Sequence, residues 1–364
     1  NISASQLEKF NLCRFSYFCN YGLNVRERQR AEINSMQYGT IVHYILERFF
    51  GEYTKEEYLS LEEDKFQKIV CAYLAEYAVK YFGEEQLESN SFTYRLKTIL
   101  DNVMYLMKHI MEELSQSEFF VADCELKIGE DIPSYTIVLP DGHKIAVCGS
   151  VDRVDIMQRA DITYLRIIDY KTGTKQFKLS DILYGINLQM LLYLHSIEAS
   201  GGDKYGEIVP AGILYMPATV PYISSDSLKS IDKLPDELNK KLKMNGLLLK
   251  DTEIIHGMDK TDAATYIPVK IKAGEPVSST SLATLAEFGK IFKKVDMLIA
   301  EMGKNIYNGN IEAKPLKGGH DSCEYCPYDS VCAYRQSNPI TCFSVDNKTV
   351  IEEITNEING KEEE

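Results

Sequence analysis

Two short segments constrain this chain more than anything else in it. Residues 149–155 read G-S-V-D-R-V-D, and residues 167–173 read I-I-D-Y-K-T-G. Side chains alternate along a strand, so Asp169 and Lys171 project from one face while Ile168 and Tyr170 point the other way. If residues 158–163 turn the chain into a hairpin, Asp152 lies beside Asp169, and two carboxylates and an ammonium converge. That grouping suits phosphodiester hydrolysis. Hard carboxylate oxygens bind Mg²⁺ or Mn²⁺, and the metal polarises the phosphate and activates water. Lys171 is placed to orient that water or to offset charge developing on the phosphate.

An isolated D-x-K recurs freely on ordinary surface strands. Here an apolar strand carries it and a G-x-x-D-R-x-D strand precedes it. Downstream, Gln189 and Tyr193 stand four apart on an expected helix and share one face, a spacing that elsewhere is plain packing. Upstream, His43 ends the run G-T-I-V-H at residues 39–43, on an apolar helix where a buried structural histidine is the commoner outcome. Glu47, one turn later, is the expected partner that orients its ring.

The nine cysteines are odd in number and widely scattered: Cys13, Cys19, Cys71, Cys124, Cys148, Cys323, Cys326, Cys332 and Cys342. Such a set is a poor disulfide framework and points to a reducing, cytoplasmic setting. Cys323 and Cys326 form a C-x-x-C, with Cys332 close behind. Thiolates at this spacing chelate one metal centre, and a fourth ligand is still needed, for which Cys13 and Cys19 are the candidates. Structural zinc is the rival to an iron-sulfur cluster, although zinc ribbons usually carry two C-x-x-C pairs and only one exists here. Cys71, Cys124 and Cys148 read as core residues.

The periodicity divides the chain into five stretches. Residues 1–118 are mainly helical, beginning with a capping-box pattern at Ser5 and Glu8, with longer helices expected over 39–50, 61–81 and 93–114. Residues 119–216 carry strands at 119–126, 135–139, 144–157 and 164–170, read as a four-stranded meander, then a helix over 179–197 and a buried strand over 208–215. Residues 217–316 are mixed, ending in a long amphipathic helix over 282–306. Residues 317–345 hold the cysteine motif, and residues 346–364 form an acidic tail whose last five residues, 360–364, are expected to be solvated and mobile.

The net charge of −14 argues against a protein that grips nucleic acid over its whole surface, though not against a local basic channel. No window approaches the run of about 20 apolar residues that spans a bilayer, so a soluble protein with no membrane partner is expected. The opening Asn1, without a leader pattern, reads as part of something longer.

With both sites in view, the sequence resembles the C-terminal nuclease domains of the AddB (RexB) family, in the RecB-like branch of the PD-(D/E)XK superfamily. The resemblance runs along most of the chain through residues 3–8, Cys13-Arg14-Phe15, Gly39-Thr40 with His43, residues 149–155, residues 169–173, and Gln189 with Tyr193. It continues through Met258-Asp259-Lys260, residues 266–270 and residues 323–332. It implies an α/β fold, a mixed sheet flanked by helices, with a helical N-terminal portion and a C-terminal cysteine motif. It further implies that His43, Asp152, Asp169 and the Tyr170 carbonyl hold Mg²⁺ or Mn²⁺, that Lys171 is the catalytic lysine, and that Gln189 and Tyr193 position DNA. Cys13, Cys323, Cys326 and Cys332 match the family's [4Fe-4S] ligands. Arg14 departs from the proline that many relatives carry after the first cysteine. The function implied is exonucleolytic trimming of an unwound DNA end beside an AddA-like helicase partner that hydrolyses ATP, in recombinational repair. The alternatives are a stand-alone iron-sulfur nuclease for single strands and a DNA-binding scaffold with a vestigial site.

Overall fold

The computed structural model describes residues 1–26, 35–173, 176–220, 234–261, 263–278, 280–332, 334 and 339–362. Its first third is helical for reasons visible in the sequence. The capping box falls two residues earlier than the pattern suggests: Ser3 and Gln6 satisfy each other's backbone amides at the start of α1 (Ala4–Leu12). Then come α2 (Arg14–Tyr17), a single wide turn, α3 (Ser35–Glu52), α4 (Lys55–Leu59), α5 (Glu63–Phe82), α6 (Glu84–Leu87) and α7 (Asn90–Gln116). Along α7, Ile99, Val103, Leu106, Ile110 and Leu114 recur at helical spacing and are buried, which makes one face of this long helix a wall of the core. Residues 27–30 of the Arg-bearing stretch after α2 lie outside the described residues.

The strand region is not the expected meander. β1 (Phe120–Ile128) pairs antiparallel with β4 (Gly149–Arg159), skipping β2 (Thr136–Val138) and β3 (Lys144–Ala146), which form a separate hairpin. The run over 144–157 reads as one strand because its apolar alternation continues. The chain breaks it at Val147 and Cys148, whose amides bond to Tyr135 and Ile2 instead of to a ladder.

β5 (Ile162–Lys171) closes the β4 hairpin. The chain then crosses through α8 (Gln189–Ser200) and α9 (Gly202–Tyr205) to β6 (Glu207–Pro217), which lies parallel to β5. The helix expected over 179–197 is interrupted. A tight turn of helix at Leu179–Tyr184 ends at Gly185, whose φ of +69° and close contact with the Asn11 side chain favour glycine, and α8 begins after it.

The segment that periodicity leaves unassigned holds α10 (Leu234–Leu242), β7 (Asn245–Leu249), α11 (Thr252–Met258) and the hairpin β8 (Lys270–Lys272) and β9 (Glu275–Val277); the first two residues of the helix expected over 282–306 are instead a short strand, β10 (Leu282–Ala283). Within it Asp259 is buried and accepts from the Thr261 and Tyr266 amides, so this residue shapes a loop. The main sheet has six strands in the order β1-β4-β5-β6-β7-β10, of mixed sense. α12 (Leu285–Tyr307), β11 (Leu316–Gly318), β12 (Ile340–Cys342) and α13 (Asn347–Glu362) complete the chain.

The acidic stretch over 346–364 is mostly the helix α13, and residues 363 and 364, at the end expected to be solvated, lie outside the described residues. Val350 and Ile354 are fully buried, and the helix packs on α12, because an acidic outer face coexists with an apolar stripe every fourth residue. One hydrophobic cluster joins the helices and the sheet, while Ile186, Leu316 and Cys342 form a small satellite beneath the cysteine motif. No helix among the described residues is long and apolar enough to cross a membrane.

Candidate active site

The β4–β5 ladder is in register from Arg159–Ile162 to Arg153–Ile168. One step beyond that last pair stand Asp152 and Asp169. The ladder opens there because the Asp152 carboxylate accepts the Tyr170 amide at 2.9 Å, holding the side chain against the end of β5. Asp169 and Lys171 share a face, as alternation requires, and form an ion pair.

α3 delivers His43 to the same place. Its Nε2 lies 3.6 Å from an Asp152 oxygen and its Nδ1 lies 2.9 Å from Glu125 Oε1. An ionised carboxylate only accepts, so Nδ1 carries the proton and Nε2 is left as the free donor atom. Glu125, not Glu47, therefore orients the ring; Glu47 is exposed and lines the same cleft. The other Glu125 oxygen accepts from Ser150 at 2.9 Å. Pattern reading misses Glu125. It sits in β1 with a φ of +50°, and only that left-handed backbone turns it toward the site, a feature with no signature in residue type. Among the described residues, ligand atoms of His43, Glu125 and Asp152 lie within 4.8 Å of one another, a set that could hold a metal ion.

The electrostatics fit a cation. Burial, and then the Asp169 charge, push the Asp152 carboxyl up to about 7. Burial opposes the charged form of His43, but the Glu125 hydrogen bond and the Asp152 and Asp169 charges outweigh it and raise that group too. Burial also works against Glu125, yet the hydrogen bonds from His43 and Ser150 hold it below its ordinary value. Crowded acid groups that repel each other in a buried place are what a divalent ion relieves.

On the opposite face of the same two strands, Arg153, Asp155 and Arg166 meet Glu113 of α7, all four with fully buried side chains. Each carboxylate touches both guanidinium groups. Arg153 also donates to the Tyr170 hydroxyl at 3.2 Å, so the residue between Asp169 and Lys171 is gripped from behind.

Tyr193 is buried on α8 and close to Gly149, where even a Cβ would collide with its ring. Its neighbours include Asp152 and Asp169. Gln189 opens α8 half-buried, with its amide donating to Glu8 at 3.3 Å. The sequence pattern assigns Glu8 to a capping box with Ser5, and its contact with α8 is not legible there.

The cysteine motif closes on the N-terminal helices. Tyr328 donates its hydroxyl to the Val25 carbonyl at 2.8 Å. The buried Cys13 thiol is raised first by burial and then by the neighbouring Cys332 and Cys326, and Cys323 feels Cys13. Cys19 is buried nearby, also facing Cys326 and Cys332. All nine cysteines are free of disulfides. Cys342 is a packing residue of the satellite cluster, whereas Cys71, Cys124 and Cys148 are only partly buried.

A family model of the PD-(D/E)XK nuclease superfamily matches residues 1–333. Over 346 residues the chain is 35% identical to an ATP-dependent helicase/deoxyribonuclease subunit of Thermoanaerobacter sp. (strain X514), covering 92% of this chain and 30% of that protein. The protein of the same name from Clostridium kluyveri is 34% identical over 381 residues, covering 100% of this chain and 32% of that one. That from Alkaliphilus oremlandii is 33% identical over 371 residues, covering 98% and 32%. The chain thus spans about a third of the length of these curated relatives. With the superfamily model covering both the carboxylate strands and the cysteine motif, this chain belongs to the PD-(D/E)XK nuclease superfamily.

Proposed function

We propose that the chain is a Mg²⁺- or Mn²⁺-dependent deoxyribonuclease, degrading an unwound DNA end within a cytoplasmic helicase-nuclease complex that prepares double-strand breaks for recombinational repair. The observation that carries this reading is the approach of His43 Nε2 to Asp152 at 3.6 Å, with Glu125 behind the ring and the Asp169–Lys171 pair alongside, although Asp169 lies outside the group of His43, Glu125 and Asp152 whose ligand atoms fall within 4.8 Å. The relatives' name, which joins helicase to deoxyribonuclease, supports DNA as substrate and a helicase as partner. The partner would be AddA-like and would hydrolyse ATP, as the family resemblance implies; this sequence itself carries no G-x-x-x-x-G-K-[ST] loop.

His43 Nε2, Asp152, Asp169 and the Tyr170 carbonyl would hold the metal. When bound, it polarises the phosphate and lowers the pKa of a coordinated water. The chain's own residues do the rest. Glu125 keeps the His43 tautomer fixed, the Tyr170 amide pins Asp152, and the Lys171 ammonium, half-buried beside Asp169, reaches the attacking water or a phosphate oxygen. Gln189 is accessible to the DNA strand, whereas Tyr193 acts by bracing β4 through Gly149.

Cys13, Cys323, Cys326 and Cys332 would hold a [4Fe-4S] cluster as a structural tie between the two ends of the chain. The thiols are near enough to repel, yet among the described residues no three of their sulfurs lie within 4.8 Å of one another. The decisive experiment compares the parent chain with Asp169→Ala on single-stranded DNA with Mg²⁺, Mn²⁺ or chelator. Equal degradation by both proteins would point to a different site.

A further inference from the structure

The cleft holding His43, of about 690 Å³, continues away from the carboxylates along α3 and α5. Its wall there is aromatic. The rings of Tyr44 and Tyr77 lie 5.2 Å apart at 60°, and those of Tyr77 and Tyr81 lie 4.4 Å apart at 35°. Tyr44 is the residue after His43, so the ring series begins beside the metal-binding histidine and climbs α5 one turn at a time.

The inner two rings are fixed. Tyr44 donates its hydroxyl to Glu76 at 2.8 Å, and Tyr77 is only 5% exposed. Tyr81 differs: it rests on Tyr77, lines the cleft, and is 56% exposed. What distinguishes Tyr81 from other exposed aromatics such as Tyr94 and Tyr325 is its place in the wall of the His43 cleft, backed by Tyr77. The Lys80 ammonium, 5.1 Å from the Tyr81 ring centre, adds a mobile cation at the rim.

Charge decides what such a wall can bind. The cleft's cations, Lys127 and Lys171, are matched by Glu47 and Glu125, and the chain carries −14 overall. Attraction for phosphates alone is therefore weak, and a strand bound here needs contacts to its bases. Base faces are available only where the strand is unpaired, because in a duplex each face is covered by the next pair.

The geometry points to Tyr81, backed by Tyr77, as the platform on which an unpaired base of single-stranded DNA stacks while the adjoining phosphate enters the carboxylate cluster. This assignment rests on the nuclease reading above and names the form of DNA that the site accepts. A base in this position follows the hydrolysed phosphate along α5 and sets how the strand is registered against His43.

The test uses the full chain, its Tyr81→Ala and Tyr81→Phe variants, and a fluorescein-labelled oligothymidylate with Ca²⁺ in place of Mg²⁺ so that binding is read without cleavage. Tyr81→Ala weakens binding about ten-fold, and Tyr81→Phe, which keeps the ring, binds as the parent does. Because no phosphate contact is lost, the dependence of affinity on salt keeps its slope. A single abasic residue moved along the oligonucleotide weakens the parent at one position and leaves Tyr81→Ala indifferent to it. In Mg²⁺ the alanine variant shows a raised KM at unchanged kcat, and blunt duplex binds both proteins alike. Equal affinity of parent and Tyr81→Ala for oligothymidylate, or the same loss on duplex as on single strand, overturns the platform. If the parent hydrolyses no DNA with any divalent metal, the nuclease reading falls, and the binding series alone decides whether Tyr81 stacks a base. Tyr81 lies outside the core, and an unchanged melting temperature for both variants checks that the comparison is between folded proteins.

Discussion

The acidic site and the cysteine motif are built in opposite ways. Asp152, Asp169 and Lys171 come from adjacent strands of a sheet embedded in the main core, with a fully buried ion quartet behind them. Cys13 and the cysteines of residues 323–332 come from opposite ends of the chain, and beneath them lies a satellite cluster of three buried residues. The first site is positioned by the register of a ladder and needs no ligand to exist. The second has little apolar surface to hold it, so the proposed cluster would have to supply the cohesion.

Four measurements bear on that contrast. The largest effect falls on activity: Asp169→Ala lowers metal-dependent hydrolysis of single-stranded DNA by about a thousand-fold. Its melting temperature changes little, because the loss of the Lys171 partner is offset by removal of a charge that repels Asp152. A variant that lost activity by unfolding would show the opposite, and thermal melting separates the two.

Next comes the quartet. Glu113→Ala leaves Arg153 and Arg166 short of a buried partner and costs about 3–5 kcal/mol in chemical denaturation. A loss under about 1 kcal/mol, the scale of an exposed pair, would mean that the register does not depend on this network. Cys326→Ser follows, with loss of bound iron and of a few kcal/mol of stability, by analogy with other long-range covalent ties. Because the acidic site stands on its own core, metal-dependent hydrolysis survives below the lowered melting temperature. Its disappearance in a variant that is still folded would show that the two regions are coupled.

The smallest effect is a pH dependence. His195 of α8 stacks on Phe292 at 4.6 Å and contacts Asp296 at 3.1 Å, joining the helix behind Asp152 to α12. Burial opposes its charge, but Asp296 and Glu198 raise it to about 9. A raised histidine stabilises most when pH is below its unfolded value near 6.5, and the contribution fades as pH rises through about 9. Unfolding free energies measured across that window lose on the order of 2 kcal/mol in the parent. In His195→Phe that component of the slope is absent.

Much of this molecule is legible as residue patterns. The alternation in D-Y-K puts Asp169 and Lys171 on one face in any strand, the hairpin brings Asp152 opposite, and the periodicity of α5, α7 and α12 marks helices wherever they pack. Those features are local, decided by side-chain direction within a few residues. The rest requires distant parts to meet. That Glu125 rather than Glu47 holds His43, and that the run over 144–157 breaks in two, depend on a left-handed residue and on amides captured by Tyr135 and Ile2. The docking of α13 depends on an apolar surface of α12 that charge composition does not reveal. Residue type and spacing determine which chemistry a chain can carry. Which partner each group finds is settled by burial, where an unpaired polar group is costly and any available neighbour, however far in sequence, is recruited to satisfy it.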